Sequence, residues 1–278
     1  MRKTIYISIV IICTALTVSV YHHWQRSRRT RLIICDVGQG DAILLVSHTT
    51  QILIDAGPAS NHVSDCLAKQ LSPFDHNLEV FVATHADADH IGGAQSVSES
   101  YTIENLILPF GGSDQASTAY DQLMAVSRSN IVNHSEVLAS NDTILAPPFE
   151  MHFLWPSQNL PVGLYDDNQR SYVIEVQYHD EYMLFMGDAD STVMEQLIRS
   201  GALRTNYNYF VVPHHGSKNS ASATFYATIK PMHAYISSGQ NNPYGHPHPL
   251  VLQLLQRYHV PYTLTADVGD IVIDLDNQ

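Results

Sequence analysis

The sequence predicts an α/β chain folded as a four-layer αββα sandwich, on two observations. Apolar strands and amphipathic helices recur in one order in both halves. ILIDAGP and MLFMGDAD are strands ending in an acid beside a glycine; each is followed by a helix and then by a strand ending in histidine, THADADH and VVPHHGS. The chain, 278 residues at 45% hydrophobic content, is also long enough to bury a core between two sheets. Strand alternation alone fits a three-layer α/β fold as well; the echo between the halves favours two β-rich layers with one site at their shared edge.

In order, RLIICDVG, DAILLVS and QILIDAG are short apolar runs parted by turn residues and read as an antiparallel meander. A helix is expected over 60–71, then EVFVAT as a buried strand with THADADHIGG at its end, a helix from IGGAQSVSES and a strand in ENLILPF. The second half gives strands in FEMHFLWP, SYVIEVQYH and EYMLFMGD, a helix in ADSTVMEQLIRSG ending at glycine, and the strand NYFVVPHHG. A helix over 221–229, the strand MHAYISSG, a helix after HPHP and the strands PYTLTA and DIVIDL complete the chain.

Residues 1–30 differ from the rest. Arg2 and Lys3 precede the uncharged run IYISIVIICTALTVSV, and YHHWQRSRRTR follows, which reads as a membrane signal outside the fold. With no convincing small-x-small cleavage site, an uncleaved anchor is favoured over a signal peptide, and the basic flank leaves its orientation open. After Arg31 the chain holds eight Lys and Arg against twenty-seven Asp and Glu, a formal charge of −19. Such a surface repels polyanions unless cations are built into the site. Cys35 and Cys66 are expected to be buried thiols, pairing being the alternative if the domain is exported.

THADADHIGG, residues 84–93, places four possible ligands in six positions after a buried strand. Side chains alternate along a strand, so they cannot all face one ion from it; a loop can turn them inward as His85 with Asp87 and Asp89 with His90, the layout of a two-metal site. Gly92 and Gly93 are expected to let the backbone turn sharply into the helix. Asp188 is placed to bridge two ions, its bland alternative being a helix N-cap. Of the neighbours His214 and His215, one is expected to face the metals and the other substrate or core. His246 and His248 are held between prolines, where a plain turn before a helix is the alternative.

DVGQGDAILL, LIDAG, THADADHIGG, LFMGDAD, HHGSKNS and NPYGHPHP, in that order, resemble the metallo-β-lactamase-fold domain attached to ComEC-type competence (DNA-uptake) proteins, over nearly everything after Arg31. The transmembrane channel of those proteins has no counterpart, so the expectation is a hydrolase domain, 31–278, on its own membrane segment, 1–30. The resemblance implies the αββα sandwich and two divalent ions, Zn²⁺ or Mn²⁺. His85, Asp87 and Asp188 would hold one; Asp89, His90, Asp188 and His215, or His214, the other, with Asp55 orienting the cluster from behind. Asp87 stands where the wider superfamily has histidine. The superfamily's separate histidine before the bridging acid has no clear counterpart, since His134 and His152 lie outside any recognisable motif. Asn168 and Ser171 fill the polar N-x-x-S stretch instead. Carboxylate in place of imidazole makes the site harder and favours oxygen-loving ions.

The expected chemistry is phosphodiester hydrolysis, on DNA in an uptake setting. Asp89 would orient or deprotonate the nucleophile, His246 or His248 would protonate the leaving oxygen, and Ser217, Lys218 and Ser220 would bind phosphate; a solvated loop lysine is the alternative for Lys218. The acidic surface keeps two rivals open: a smaller phosphodiester such as cell-wall phosphocholine, and a membrane-tethered binding protein with a degenerate metal site. β-Lactam hydrolysis is disfavoured by the ligand set. Membrane anchoring or export, with the domain on the extracytoplasmic face, is expected; no protein partner is inferred.

Overall fold

Arg31–Ile34 (β1), Ile43–Ser47 (β2) and Thr50–Ile54 (β3) form the expected antiparallel meander in the computed structural model, which describes residues 29–277 apart from 49 and 115, together with residue 14. The expected membrane segment lies outside the described residues, among which no helix is long and apolar enough to cross a membrane. Asn77–Val82 (β4), Thr102–Ile107 (β5) and Val132–Glu136 (β6) extend the sheet in parallel from β3.

The second sheet begins with Thr143–Ala146 (β7), Phe149–Trp155 (β8), Val173–Tyr178 (β9) and Glu181–Phe185 (β10), all antiparallel. Tyr209–Val211 (β11), His233–Ile236 (β12) and Tyr262–Leu264 (β13) then add in parallel. Ile271–Asp274 (β14) returns to pair with β1 on the first sheet. The orders are β14-β1-β2-β3-β4-β5-β6 and β13-β12-β11-β10-β9-β8-β7. The echo in the sequence thus has a structural counterpart. β3 and β10 are each the middle strand of their sheet and the one where pairing changes from antiparallel to parallel, and crevices for ligands open beyond the carboxyl ends of such strands.

Four layers follow from where side chains alternate. Leu32, Ile34, Ile52, Ile54, Val80 and Val82 meet Met151, Phe153, Ile174, Val176, Met183 and Phe185 between the sheets. The opposite face of the first sheet (Ile33, Leu44, Leu53, Phe81, Leu106) is covered by helices His62–Gln70 (α1), Ala94–Ser98 and Thr118–Ser127. That of the second is covered by Ser191–Ser200, Ala223–Ile229 and Pro249–Arg257. Strands buried on both faces read as continuous apolar runs, which is why ILLV of β2 shows no polar alternation. Burying each Leu or Ile contributes roughly 1.5–3 kcal/mol.

Three features depart from expectation. The 118–127 helix, β6 and β7 escaped the sequence pattern. Cys35 and Cys66 are not free thiols but a disulfide, with Cα atoms 5.9 Å apart, joining the chain just after β1 to α1 in a fully buried position. Gly92 and Gly93 have ordinary helical torsions; glycine is required at Gly93 by proximity, since a Cβ there would stand 2.1 Å from the carbonyl oxygen of Ala56.

Candidate metal centre

The ends of β3 and β4 are clamped by one carboxylate. Asp55, buried and at φ 59°, accepts the Thr84 N–H on Oδ1 (2.8 Å) and the Thr84 hydroxyl on Oδ2 (2.7 Å); aspartate is among the few residues that enter this left-handed region readily. Oδ2 also takes Nδ1–H of His90 at 2.7 Å. Beyond Thr84 the chain passes His85 and enters a single helical turn, Ala88–Ile91, whose geometry brings His90 back beside His85 with ring centroids 4.2 Å apart. His85 Nδ1 lies 3.1 Å from Thr84 Oγ1; because that hydroxyl donates to Asp55, the imidazole donates to it. Both histidines are thereby fixed with Nε2 facing the site.

Asp188, just past β10, is the hub. Its N–H donates to Ser171 Oγ at 3.1 Å. The capping role belongs to Asp190, which accepts from Thr192 and Val193 N–H, so Asp188 is free to turn inward. Its two oxygens divide the cluster. Oδ1 lies 3.0 Å from His90 Nε2 and 3.8 Å from His215 Nε2, with Asp89 Oδ2 3.3 Å from the same His215 nitrogen. Oδ2 lies 3.4 Å from His214 Nε2 and 3.9 Å from His85 Nε2, with Asp87 Oδ2 3.8 Å from the latter. His214 and His215 both sit at φ 53°, strained for non-glycine residues, and their rings stand at 88° to one another. That backbone lets two adjacent histidines serve the two sides of one carboxylate. His134, by contrast, lies on β6 and His152 on β8.

Buried polar atoms are nearly always hydrogen-bonded, yet here Nε2 of His85, His90 and His215, Nδ1 of His214, and Oδ1 of Asp188 and of Asp41 have no such partner among the described residues. Four of these residues, Asp41, His90, Asp188 and His215, place a ligand atom each within 4.8 Å of one another. Imidazole nitrogens and carboxylate oxygens with other atoms tethered from behind are the donor set of a divalent cation, and the residues fit one.

The electrostatics agree. Burial alone would raise the Asp188 carboxyl, but His90 and His215 hold it well below the usual range. Burial is likewise outweighed at Asp89, held at about 2 by the His215 imidazole beside it and the charge of His90. Burial, then the carboxylates Asp188 and Asp89, push Asp87 up to about 6. Burial and the adjacent His90 press His85 down to about 3. Burial is outweighed in the other direction at His90, raised well above its ordinary value by Asp188 and Asp55, and at His215, raised to about 10 by Asp41 and Asp188: the carboxylates hold protons on the imidazoles that a bound cation would displace.

Asp41 was not among the residues singled out from sequence. It follows the turn after β1 and places Oδ1 3.2 Å from His215 Nδ1, which also meets the Ser237 carbonyl at 3.1 Å. The motif DVGQGD contained it, but an acid after a glycine turn has no ligand spacing to betray it. Gln39, beside it, donates Nε2–H to His246 Nδ1 at 3.3 Å.

The remaining expected residues divide. His246 approaches the cluster, with ring centroids 5.8 Å from His214 and 6.2 Å from His215; burial and these two imidazoles lower it to about 4. His248 instead caps the 249–257 helix, its Nδ1 accepting Leu250 N–H, which is the plain-turn alternative. Ser220 is fully buried and donates to the Ser217 carbonyl at 2.7 Å, so it has no access to substrate. Ser217 Oγ accepts Asn219 N–H, and Lys218 is exposed. Asn168 engages Ser171 N–H through its backbone carbonyl, while Arg170 beside it is buried against Asp114 and Asp167.

Comparison with known proteins is consistent with this geometry. Residues 35–108 match the model of the metallo-β-lactamase superfamily. ComE operon protein 3 of Bacillus subtilis is 26% identical over 277 residues, covering 94% of this chain and 35% of that protein. Competence protein ComA of Neisseria gonorrhoeae is 26% identical over 214 residues, covering 77% and 28%. The chain therefore spans about a third or less of these curated relatives. Among solved structures, the metallo-β-lactamase fold protein YhfI from Bacillus subtilis superposes with TM-score 0.59 at 12% identity, covering 88% of this chain and 99% of that one. With two seven-stranded sheets and a histidine and aspartate cluster at their shared edge, the chain has the metallo-β-lactamase fold, and its sequence is similar to the corresponding part of these competence proteins.

Proposed function

We propose that the protein is a hydrolase dependent on two divalent ions that cleaves phosphodiester bonds, with DNA in an uptake setting as its substrate. The observation that carries this reading is the division of imidazole nitrogens and carboxylates into two sets about the two oxygens of Asp188, with Nε2 of His85, of His90 and of His215 buried without a hydrogen-bond partner among the described residues. His85, His214 and Asp87 would hold one ion with Asp188 Oδ2; His90, His215 and Asp89 would hold the other with Oδ1. His214 would thus supply the imidazole that neither His134 nor His152 provides. Two ions so held would supply Lewis acidity toward a phosphoryl oxygen and lower the pKa of water. Three carboxylates among the seven donors make Mn²⁺ as fitting as Zn²⁺.

The chain's own groups then position the substrate. Asp89, with Oδ2 3.3 Å from His215 Nε2, orients or deprotonates the incoming water. Gln39 donates to His246 Nδ1, so the neutral ring carries its proton on Nε2 and offers a hydrogen bond to a phosphate oxygen rather than a proton to a leaving group. The Cys35–Cys66 disulfide supports placement in an oxidising compartment outside the cytoplasm.

The test is metal content by mass spectrometry beside hydrolysis of bis-p-nitrophenyl phosphate and of single- and double-stranded DNA, with an His85→Ala, Asp188→Ala control. About two ions per chain and activity lost in the control are expected. Less than one ion after Mn²⁺ or Zn²⁺ loading sinks the enzyme reading in favour of a degenerate binding protein, and activity surviving in the control refutes the assignment of the site.

A further inference from the structure

Tyr244 is 68% exposed, yet its ring is not loose on the surface. It stacks on His246 at a centroid distance of 5.7 Å and an interplanar angle of 26°. His246 in turn lies 5.8 Å and 6.2 Å from His214 and His215, so the tyrosine is one ring removed from the metal ligands. The turn carrying it is held from within. Asn242 accepts His246 N–H at 2.9 Å and donates to the His246 carbonyl at 2.6 Å and to the Gly239 carbonyl at 3.0 Å, while Gln39 fixes the His246 ring. Alongside runs a cavity of about 560 Å³ whose lining includes Gln240, Asn241, Asn242 and His246. A large aromatic face, fixed and turned to solvent beside a reaction centre, is a stacking platform in search of a planar partner.

Resting on the phosphodiesterase reading above, we propose that Tyr244 stacks the nucleobase next to the scissile phosphate, and that the substrate is single-stranded nucleic acid. Charge cannot provide the grip: eight Lys and Arg against twenty-seven acids after residue 31 leave little to attract a polyanion. Stacking depends less on surface charge and is worth about 1–3 kcal/mol per base, or roughly 5- to 150-fold. It requires an unpaired base, because in a duplex both faces are occupied by neighbouring bases. A quaternary ammonium would instead need several aromatic faces closing around it, and the ledge here is two rings stacked on each other.

The experiment uses the Mn²⁺-loaded protein and fluorescent oligothymidylate, an abasic oligomer with the same phosphates, and a duplex, read by anisotropy for binding and by gel for cleavage. Wild type is expected to bind oligothymidylate at least fivefold more tightly than the abasic strand or the duplex. Tyr244→Ala should erase that preference and leave abasic binding unchanged; Tyr244→Phe should retain it. Equal wild-type binding to the thymidylate and abasic strands, or an equal loss on both in Tyr244→Ala, overturns the proposal. So does displacement of the oligomer by phosphocholine that disappears in Tyr244→Ala. Base preference without cleavage would refute the hydrolase reading and leave the platform standing; cleavage indifferent to Tyr244 would do the reverse.

Discussion

Asp55→Asn isolates what a carboxylate behind the metal ligands does. The backbone should tolerate it, because asparagine enters the left-handed region at φ 59° as aspartate does. The side chain cannot satisfy its neighbours. Oδ2 accepts from the Thr84 hydroxyl and from His90 Nδ1, each at 2.7 Å, and Oδ1 accepts the Thr84 N–H at 2.8 Å. An amide has one acceptor oxygen, so one side must now present N–H. Toward Thr84 N–H this leaves a buried donor unmet, costing about 1–3 kcal/mol. Toward His90 it drives the imidazole proton to Nε2, the atom that faces Asp188, and removes the ligand. Loss of such a supporting partner weakens metal binding by about 10–100-fold, or about 1.4–2.8 kcal/mol. Competition titration with Mn²⁺ reads the affinity, and thermal melts of the metal-free protein read the stability. An Mn²⁺ affinity within threefold of wild type would refute the argument that Asp55 sets the His90 tautomer.

Three further outcomes follow from other parts of the molecule. Replacing Cys35 and Cys66 together by Ala opens a crosslink across 31 residues, which should cost about 3–4 kcal/mol in denaturant unfolding; a change under 1 kcal/mol would show that the disulfide contributes little. His214→Ala and His215→Ala should each lower metal content from about two ions to about one, since their Nε2 atoms face opposite oxygens of Asp188, and loss of both ions in either variant argues for a single shared site. Asp276 is lowered from its ordinary value because hydrogen bonds from the Tyr178 hydroxyl and Thr30 N–H outweigh its burial. Its folded value lies below its unfolded one, so its stabilisation is present above about pH 4 and fades as the pH falls through the folded value. The gap in urea midpoint between wild type and Asp276→Asn should be constant from about pH 5 to 7 and close in acid; a gap that widens in acid contradicts the assignment.

The sequence was most legible where burial and chemistry coincide. β3, β4 and β10 are apolar runs long enough to name as strands, and the acid or histidine just beyond each marked the site. β6 was invisible because VNHSE carries no apolar alternation; it exists through parallel backbone pairing to β5, with its outer residues in solvent. The 118–127 helix has its stripe at Ala119, Leu123 and Val126, but Ser and Asp residues dilute it. The disulfide could not be read because pairing depends on which strand end faces which helix, and spacing along the chain does not encode that. His214 and His215 mark the limit most clearly: adjacent residues in an ordinary strand point apart, and only two successive left-handed conformations bring both to one carboxylate. At Ser220, where phosphate binding was expected, a turn engages the hydroxyl with the Ser217 carbonyl, a local detail that the sequence does not display.

The division of the ligands between the sheets has a mechanical consequence. Asp41, Asp55, His85, Asp87, Asp89 and His90 belong to the first sheet's share of the chain, and Asp188, His214 and His215 to the second's, with residues 137–142 crossing between them. Ions held by both sets would therefore rivet two lobes that also meet through an apolar interface, the returning β14 and hydrogen bonds such as those from Ser237 Oγ to the Gly40 carbonyl and from Tyr172 N–H to the Thr84 carbonyl. A chelator would then act on the molecule as a wedge, and a chain nicked between 137 and 142 would owe part of its cohesion to a metal held by both halves.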